Sequence, residues 1–219
     1  KGVVVGMSGG LDSSVLAVLC QRAFPQNTLG VIMPCHSQPE DKAHAREVAS
    51  KFSISTAEVI LDDIFSALLQ TLPDYKADPA LAHLAQANLK VRLRMLTLYH
   101  IANQLGYMVA GSSNRSEISV GYFTKYGDGG VDIMPLGNLV KAQVRELARF
   151  LGIPQSIMAK SPSAGLWEGQ TDEAEMGFSY EELDRYLLTG EVSGKVREKI
   201  ESMIAASAHK RALPPIPGL

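Results

Sequence analysis

Between a β-branched run, Val3-Val4-Val5, and an apolar helical pattern stands Gly6-Met7-Ser8-Gly9-Gly10-Leu11-Asp12-Ser13-Ser14, and this junction constrains the chain more than any other stretch. Consecutive glycines let the backbone approach an anion closely. Ser8, Ser13 and Ser14 add hydroxyl donors, and a helix beginning near Ser13 offers unpaired N–H groups at the positive end of its dipole. Such a loop receives a phosphate. It is not the GxxxxGK[ST] loop of kinases and GTPases, because the lysine is absent and the carboxylate of Asp12 stands inside it. An acid beside phosphates calls for a bridging cation, and magnesium, which prefers carboxylate and phosphate oxygens, is the natural choice. The plainer alternative is a glycine-rich turn with Asp12 as an ordinary N-cap; the full string in its strand-to-helix setting outweighs it.

Around this loop the first hundred residues alternate short strand-like runs with longer helical patterns, the sequence form of a parallel sheet covered on both faces. Strands are expected at Val3 to Val5, Leu29 to Met33, Val59 to Leu61 and Tyr107 to Ala110. Helices are expected at Ser13 to Phe24, Pro39 to Phe52, Ile64 to Thr71 and Pro79 to Leu105. The fold class is α/β, a three-layer α/β/α sandwich with a parallel, Rossmann-like sheet and the phosphate loop at the carboxyl ends of its strands. The helix from Pro79 has two apolar stripes: Leu84, Val91, Met95, Leu98 and Ala102, and Ala85, Leu89, Leu93 and Leu96. One should face the sheet, and the other needs a further element or a second subunit. Beyond Gly111 a Gly-rich polar stretch through Gly130 reads as a long, functional loop. Helices follow at Lys141 to Phe150, Tyr180 to Leu188 and Ser193 to Ser207, then a Pro-rich tail.

The 219 residues, 46% hydrophobic, suit one domain spanning 1–219. Lys1 runs directly into the first strand without a lead-in, which leaves room for a missing N-terminal segment. A net charge of -2 supplies no broad basic field, so neither nucleic acid nor an anionic membrane is expected as a partner. The two cysteines, Cys20 and Cys35, form no CxxC pair, so reduced thiols and no structural zinc are expected. Without a signal-peptide pattern or a spanning run, a cytoplasmic location is the expectation.

The glycine-rich string resembles the pyrophosphatase loop of the N-type ATP pyrophosphatases, the adenine nucleotide alpha hydrolase-like group that includes NAD, GMP, asparagine and argininosuccinate synthetases. That resemblance implies ATP cleaved between its α- and β-phosphates. The second half narrows it. Gly111-Ser112-Ser113-Asn114-Arg115-Ser116-Glu117 is followed by Gly121-Tyr122-Phe123-Thr124-Lys125-Tyr126-Gly127-Asp128-Gly129-Gly130-Val131-Asp132, which looks like the signature of the ammonia-dependent NAD synthetases. Lys160-Ser161-Pro162-Ser163-Ala164, Gln170-Thr171-Asp172-Glu173 and His209-Lys210 extend the match over almost the whole chain.

This resemblance implies amidation of deamido-NAD with ammonia to give NAD, AMP and pyrophosphate through an adenylated carboxylate, by a homodimer. Carried over position by position, Asp12 and Glu117 would hold Mg2+. Gly6, Met7, Ser8, Gly9, Gly10, Leu11, Asp12, Ser13, Ser112, Lys141 and Ser163 would line the ATP site. Arg92, Lys125, Asp132, His209 and Lys210 would bind deamido-NAD, though Asp132 could merely cap a turn and Arg92 could face solvent. Asp128 is the candidate to bind or deprotonate ammonium, with a turn-forming Asp as its alternative. Trp167 and Glu168 could belong to a lid. Serine replaces the family's usual threonine at Ser112 and Ser163 and keeps the hydroxyl. Two rivals stand: a tRNA-modifying or GMP-type pyrophosphatase, against which the Gly121 to Asp132 string argues, and a module that holds ATP without turnover, which would not need two acids aimed at one metal.

Overall fold

The computed structural model describes the chain apart from residues 77, 164, 166–168, 170 and 218–219. Four parallel strands run in the order β3-β2-β1-β4: β1 (Val3–Gly6), β2 (Thr28–Ile32), β3 (Ser55–Glu58) and β4 (Met108–Ala110). Val3, Val4 and Val5 are each fully buried, as a central parallel strand covered on both sides requires. Their alternation splits the core. Val3 and Val5 pack with α1 (Leu11–Ala23), α2 (Pro39–Lys51) and α6 (Lys141–Leu151), whereas Val4 and Val109 pack with α3 (Asp62–Thr71) and α4 (Pro79–Leu105). These are the three expected layers.

The chain leaves β1 for β2 on one side and returns to β4 on the other, so the gap beyond the carboxyl ends of β1 and β4 is the switch point where open sheets bind ligands. A third apolar cluster, built on Val120, Met176, Phe178, Leu183 and Ile200, closes that end. It joins α5 (Arg115–Val120) to α8 (Asp172–Met176), α9 (Tyr180–Thr189) and α10 (Gly194–Ala206). Two short elements complete the chain, α7 (Gln155–Met158) and a 3-10 turn at Ala208–Lys210.

Three expectations are corrected. The third strand is Ser55–Glu58, not Val59 to Leu61. It is an edge strand with mostly exposed side chains, held by its backbone ladder to β2, so it lacks the apolar signature that burial imposes. Val59 and Leu61 continue beyond it, donating their N–H groups to Ile32 and Pro34. The stretch after Gly111 contains α5, whose capping box pairs Asn114 with Glu117; this Asn-x-x-Glu spacing was the signal for a helix start. Helix α1 begins at Leu11, which places Asp12 in its first turn rather than in the loop.

Candidate active site

Residues Gly6, Met7, Ser8, Gly10, Leu11, Asp12 and Ser13 line a cavity of about 870 Å3 at the switch point, near the upper end of the range for small-molecule sites. Gly9 makes the turn possible. Its φ is +78°, and a Cβ there would lie 2.1 Å from the carbonyl oxygen of Asp41. Gly10 precedes α1 without a side-chain cap, so the helix's first N–H groups remain available to an anion. Ser13 and Ser14 instead donate to the Gly10 carbonyl at 3.1 and 2.7 Å, and the hydroxyls of Ser8 and Ser13 lie 2.9 Å apart.

Beside this loop, β1 and β4 deliver two carboxylates to one point. Lys141, at the start of α6 and 3% exposed, places Nζ 2.6 Å from Asp12 Oδ2 and 3.1 Å from Glu117 Oε1. Asn114 donates from Nδ2 to Asp12 Oδ1 at 2.8 Å. Burial drives Glu117 up to about 7, with Lys141 opposing the rise and Asp12 adding to it. Burial alone would depress Lys141, but the two carboxylates outweigh it and hold the ammonium above its ordinary range. The lysine is therefore a fixed positive charge.

Around this centre lie residues for which the sequence suggested no role. The Tyr180 hydroxyl lies 2.9 Å from Asp172 Oδ2 and 3.3 Å from Glu117 Oε1, and Lys141 Nζ sits 4.8 Å from the tyrosine ring centroid. The Tyr122 hydroxyl meets Asp172 at 3.1 Å and also contacts Glu175. Burial pushes Asp172 and both tyrosines upward. On α4 the arginine lining the cavity is Arg94, not Arg92. Arg94 donates to the Met33 carbonyl at 3.2 Å and to Ser37 Oγ at 3.1 Å. Its spacing from Val91 and Leu98, a cation within an apolar stripe, was the available signal.

The expected residues divide unevenly. Ser112, Glu117, Asp128, Lys141, Ser163 and Lys210 line the cavity. Asp128 accepts a 2.7 Å hydrogen bond from the Thr124 N–H, as a turn former does, while enclosure pushes its carboxyl above the usual range. Lys210 reaches inward to the carbonyls of Gly121 and Phe123, both at 2.7 Å, and burial lowers it. Arg92, Lys125, Asp132 and His209 do not line it. Arg92 donates to the Lys125 carbonyl at 3.3 Å, and Lys125 to that of His209. Asp132 accepts from the Val109 N–H at 2.7 Å and from the Tyr99 hydroxyl at 3.1 Å, which ties it to the sheet. Trp167 and Glu168 lie outside the described residues. Among the described residues no three metal-ligating side chains gather at one point, and no helix is long and apolar enough to cross a membrane. Both cysteines are free and buried.

Residues 1–214 match the model of the family NAD synthase. The chain belongs to this family. NAD synthase membership makes it an enzyme, a ligase that consumes ATP. It is 52% identical to the NH(3)-dependent NAD(+) synthetase of Carboxydothermus hydrogenoformans, over 100% of this chain and 90% of that one. The corresponding protein of Syntrophomonas wolfei is 47% identical, over 98% and 87%. Among solved structures, NMN synthetase from Francisella tularensis superposes with a TM-score of 0.92 at 39% identity, covering 100% of this chain and 90% of that one. NH3-dependent NAD synthetase from Campylobacter jejuni gives 0.79 at 26%, covering 99% and 89%.

Proposed function

We propose that this site, within one domain spanning 1–219, carries out the family's reaction, the ATP-dependent amidation of deamido-NAD with ammonia to NAD, AMP and pyrophosphate. The observation that carries this reading is the meeting of Asp12, Glu117 and Lys141 beside an open phosphate loop. The nicotinate carboxylate attacks the α-phosphorus, forming a C–O–P link as the bond to pyrophosphate breaks. Ammonia then attacks the carbonyl carbon, AMP leaves, and a proton is released. No side-chain nucleophile is needed, so the chain's part is positioning and charge neutralisation.

The donor set fits Mg2+. Asp12 Oδ2 and Glu117 Oε1 already converge on one cationic atom, and magnesium sites commonly use one or two carboxylates completed by substrate phosphates and water. When bound, the ion would neutralise charge developing on the phosphate oxygens. The N–H groups of the loop and of the α1 start would receive pyrophosphate, and Lys141 would add a point charge. Asp128, raised by its enclosure, is suited to take the proton that ammonium must lose.

Amidation of nicotinate mononucleotide is a second reading, supported by the likeness to the Francisella NMN synthetase. The reacting carboxylate is the same; what differs is the need for a second nucleotide site, and Arg92, Lys125 and His209 lie outside the cavity. We place the enzyme in the cytoplasm as a homodimer. Support for a second copy comes from Leu81 and Leu96 of α4, which lie outside the cavity lining and are each more than half exposed. The test is chromatography of products after incubation with ATP, magnesium, ammonium and either nicotinate nucleotide, with Asp12→Asn as control. Equal NAD, AMP and pyrophosphate from deamido-NAD supports the first reading; a kcat/KM favouring the mononucleotide replaces it with the second. ATP consumption only with another acceptor sinks both.

A further inference from the structure

The two carboxylates at the centre have four oxygens, and the structure sorts them into two pairs. Asp12 Oδ1 accepts from Asn114 Nδ2 at 2.8 Å, and Glu117 Oε2 accepts from the Asn114 backbone N–H at 3.3 Å. The remaining pair, Asp12 Oδ2 and Glu117 Oε1, points to Lys141 Nζ. Asn114 is fully buried, and its amide has one orientation that satisfies both neighbours: Oδ1 accepts from the Glu117 N–H at 3.0 Å, which leaves Nδ2 for Asp12. One side chain thus ties the first turn of α1 to the first turn of α5, across 102 residues of sequence.

We propose that the Asn114 side chain is a positioning residue that fixes the orientation in which the Asp12 carboxylate, beside Glu117, faces the magnesium and phosphates of the reaction, an assignment that rests on the function proposed above. As the N-cap of α5 it would have a purely architectural duty, met by any acceptor at this position. Its amide nitrogen has no part in capping; among the described residues it donates to Asp12 alone. Without that donor the Asp12 carboxylate is held at Oδ2 alone, by Lys141 at 2.6 Å, and the tilt of its plane toward the centre is no longer set. Groups that orient ligands in this way govern affinity without touching the ion.

Asn114→Ser separates the two duties, because serine keeps a cap acceptor for the Glu117 N–H but is too short to reach Asp12. The experiment titrates the full-length protein with Mn2+, followed by electron paramagnetic resonance, and measures the Mg2+ dependence of AMP formation. Circular dichroism reports folding. The expected result is a folded variant whose Mn2+ affinity falls about 10- to 100-fold. Half-saturation by Mg2+ should rise in parallel, with little change in KM for the nicotinate nucleotide. A folded variant with both values within about twofold of the parent overturns the proposal. Asn114→Thr keeps the same acceptor with more of the buried volume and carries the test if the serine variant does not fold. Collapse of both would overturn the proposal in favour of architecture alone. A parent protein that binds no Mn2+ and forms no AMP would instead sink the proposed function.

Discussion

Replacing Glu117 by glutamine should separate the use of this acid from its effect on folding. Burial raises Glu117 from 4.5 to about 7. Asp12 holds the shared lysine at 2.6 Å and Glu117 at 3.1 Å, so Glu117 is the less compensated of the two. The folded state binds this proton more tightly than the unfolded state. The contribution is therefore fully present below 4.5 and is lost as pH rises through about 7. That shift amounts to roughly 3 kcal/mol of lost stability at about pH 8.5, of which roughly 1 kcal/mol is already lost at about pH 5.5. Glutamine has no charge to desolvate, but its amide nitrogen must face either Lys141 Nζ or the Asn114 N–H, at a cost of about 1–3 kcal/mol. That mismatch does not vary with pH. The stability difference should thus move in the variant's favour by about 2 kcal/mol between about pH 5.5 and 8.5, measured by urea unfolding in the presence of EDTA. A difference constant to within about 0.5 kcal/mol, the scatter of an inert substitution, would refute the account of Glu117 as an undercompensated buried acid.

Gly9→Ala would force a Cβ to within 2.1 Å of the Asp41 carbonyl at a φ of +78°. Displacement of the phosphate loop should lower kcat/KM for ATP by about 100-fold, read from initial rates. Asp184 is buried and accepts from Ser116 Oγ and, at 2.7 Å, from the Ala142 N–H. Asp184→Ala strands those donors and should cost about 1–3 kcal/mol, measured by chemical unfolding. Leu96→Asp places a charge on an exposed apolar position of α4. Light scattering after gel filtration should show a shift from dimer to monomer, and an unchanged mass would remove α4 from the interface.

The layered α/β fold was legible because its signals are local and repeated. Val3 to Val5 are buried on both faces and had to be β-branched and apolar. Asp78, Pro79 and Gly106 punctuate α4, the aspartate accepting from the Ala80 N–H and the glycine adopting a left-handed φ of +65°. The polar edge strand Ser55–Glu58 escaped notice, since a strand with one neighbour and exposed side chains carries little hydrophobic pattern. So did the roles of Tyr180 and Asp172, which lie far along the chain from the phosphate loop.

From the sequence alone came the glycine-rich junction after β1, three of the four strands and the family resemblance, because each rests on short runs of neighbouring residues that can be read one after another along the chain. Only the tertiary structure decided that Lys141 lies between two carboxylates, that Arg94 rather than Arg92 faces the cavity, and that Asn114 faces Asp12. Asp12, Asn114 and Lys141 meet because β1 and β4 are parallel neighbours whose carboxyl ends share one gap, and because α6 packs against α1. Hydrogen bonds and ion pairs act over about 3 Å, so the partners at such a centre are set by which elements pack together, not by their separation along the chain.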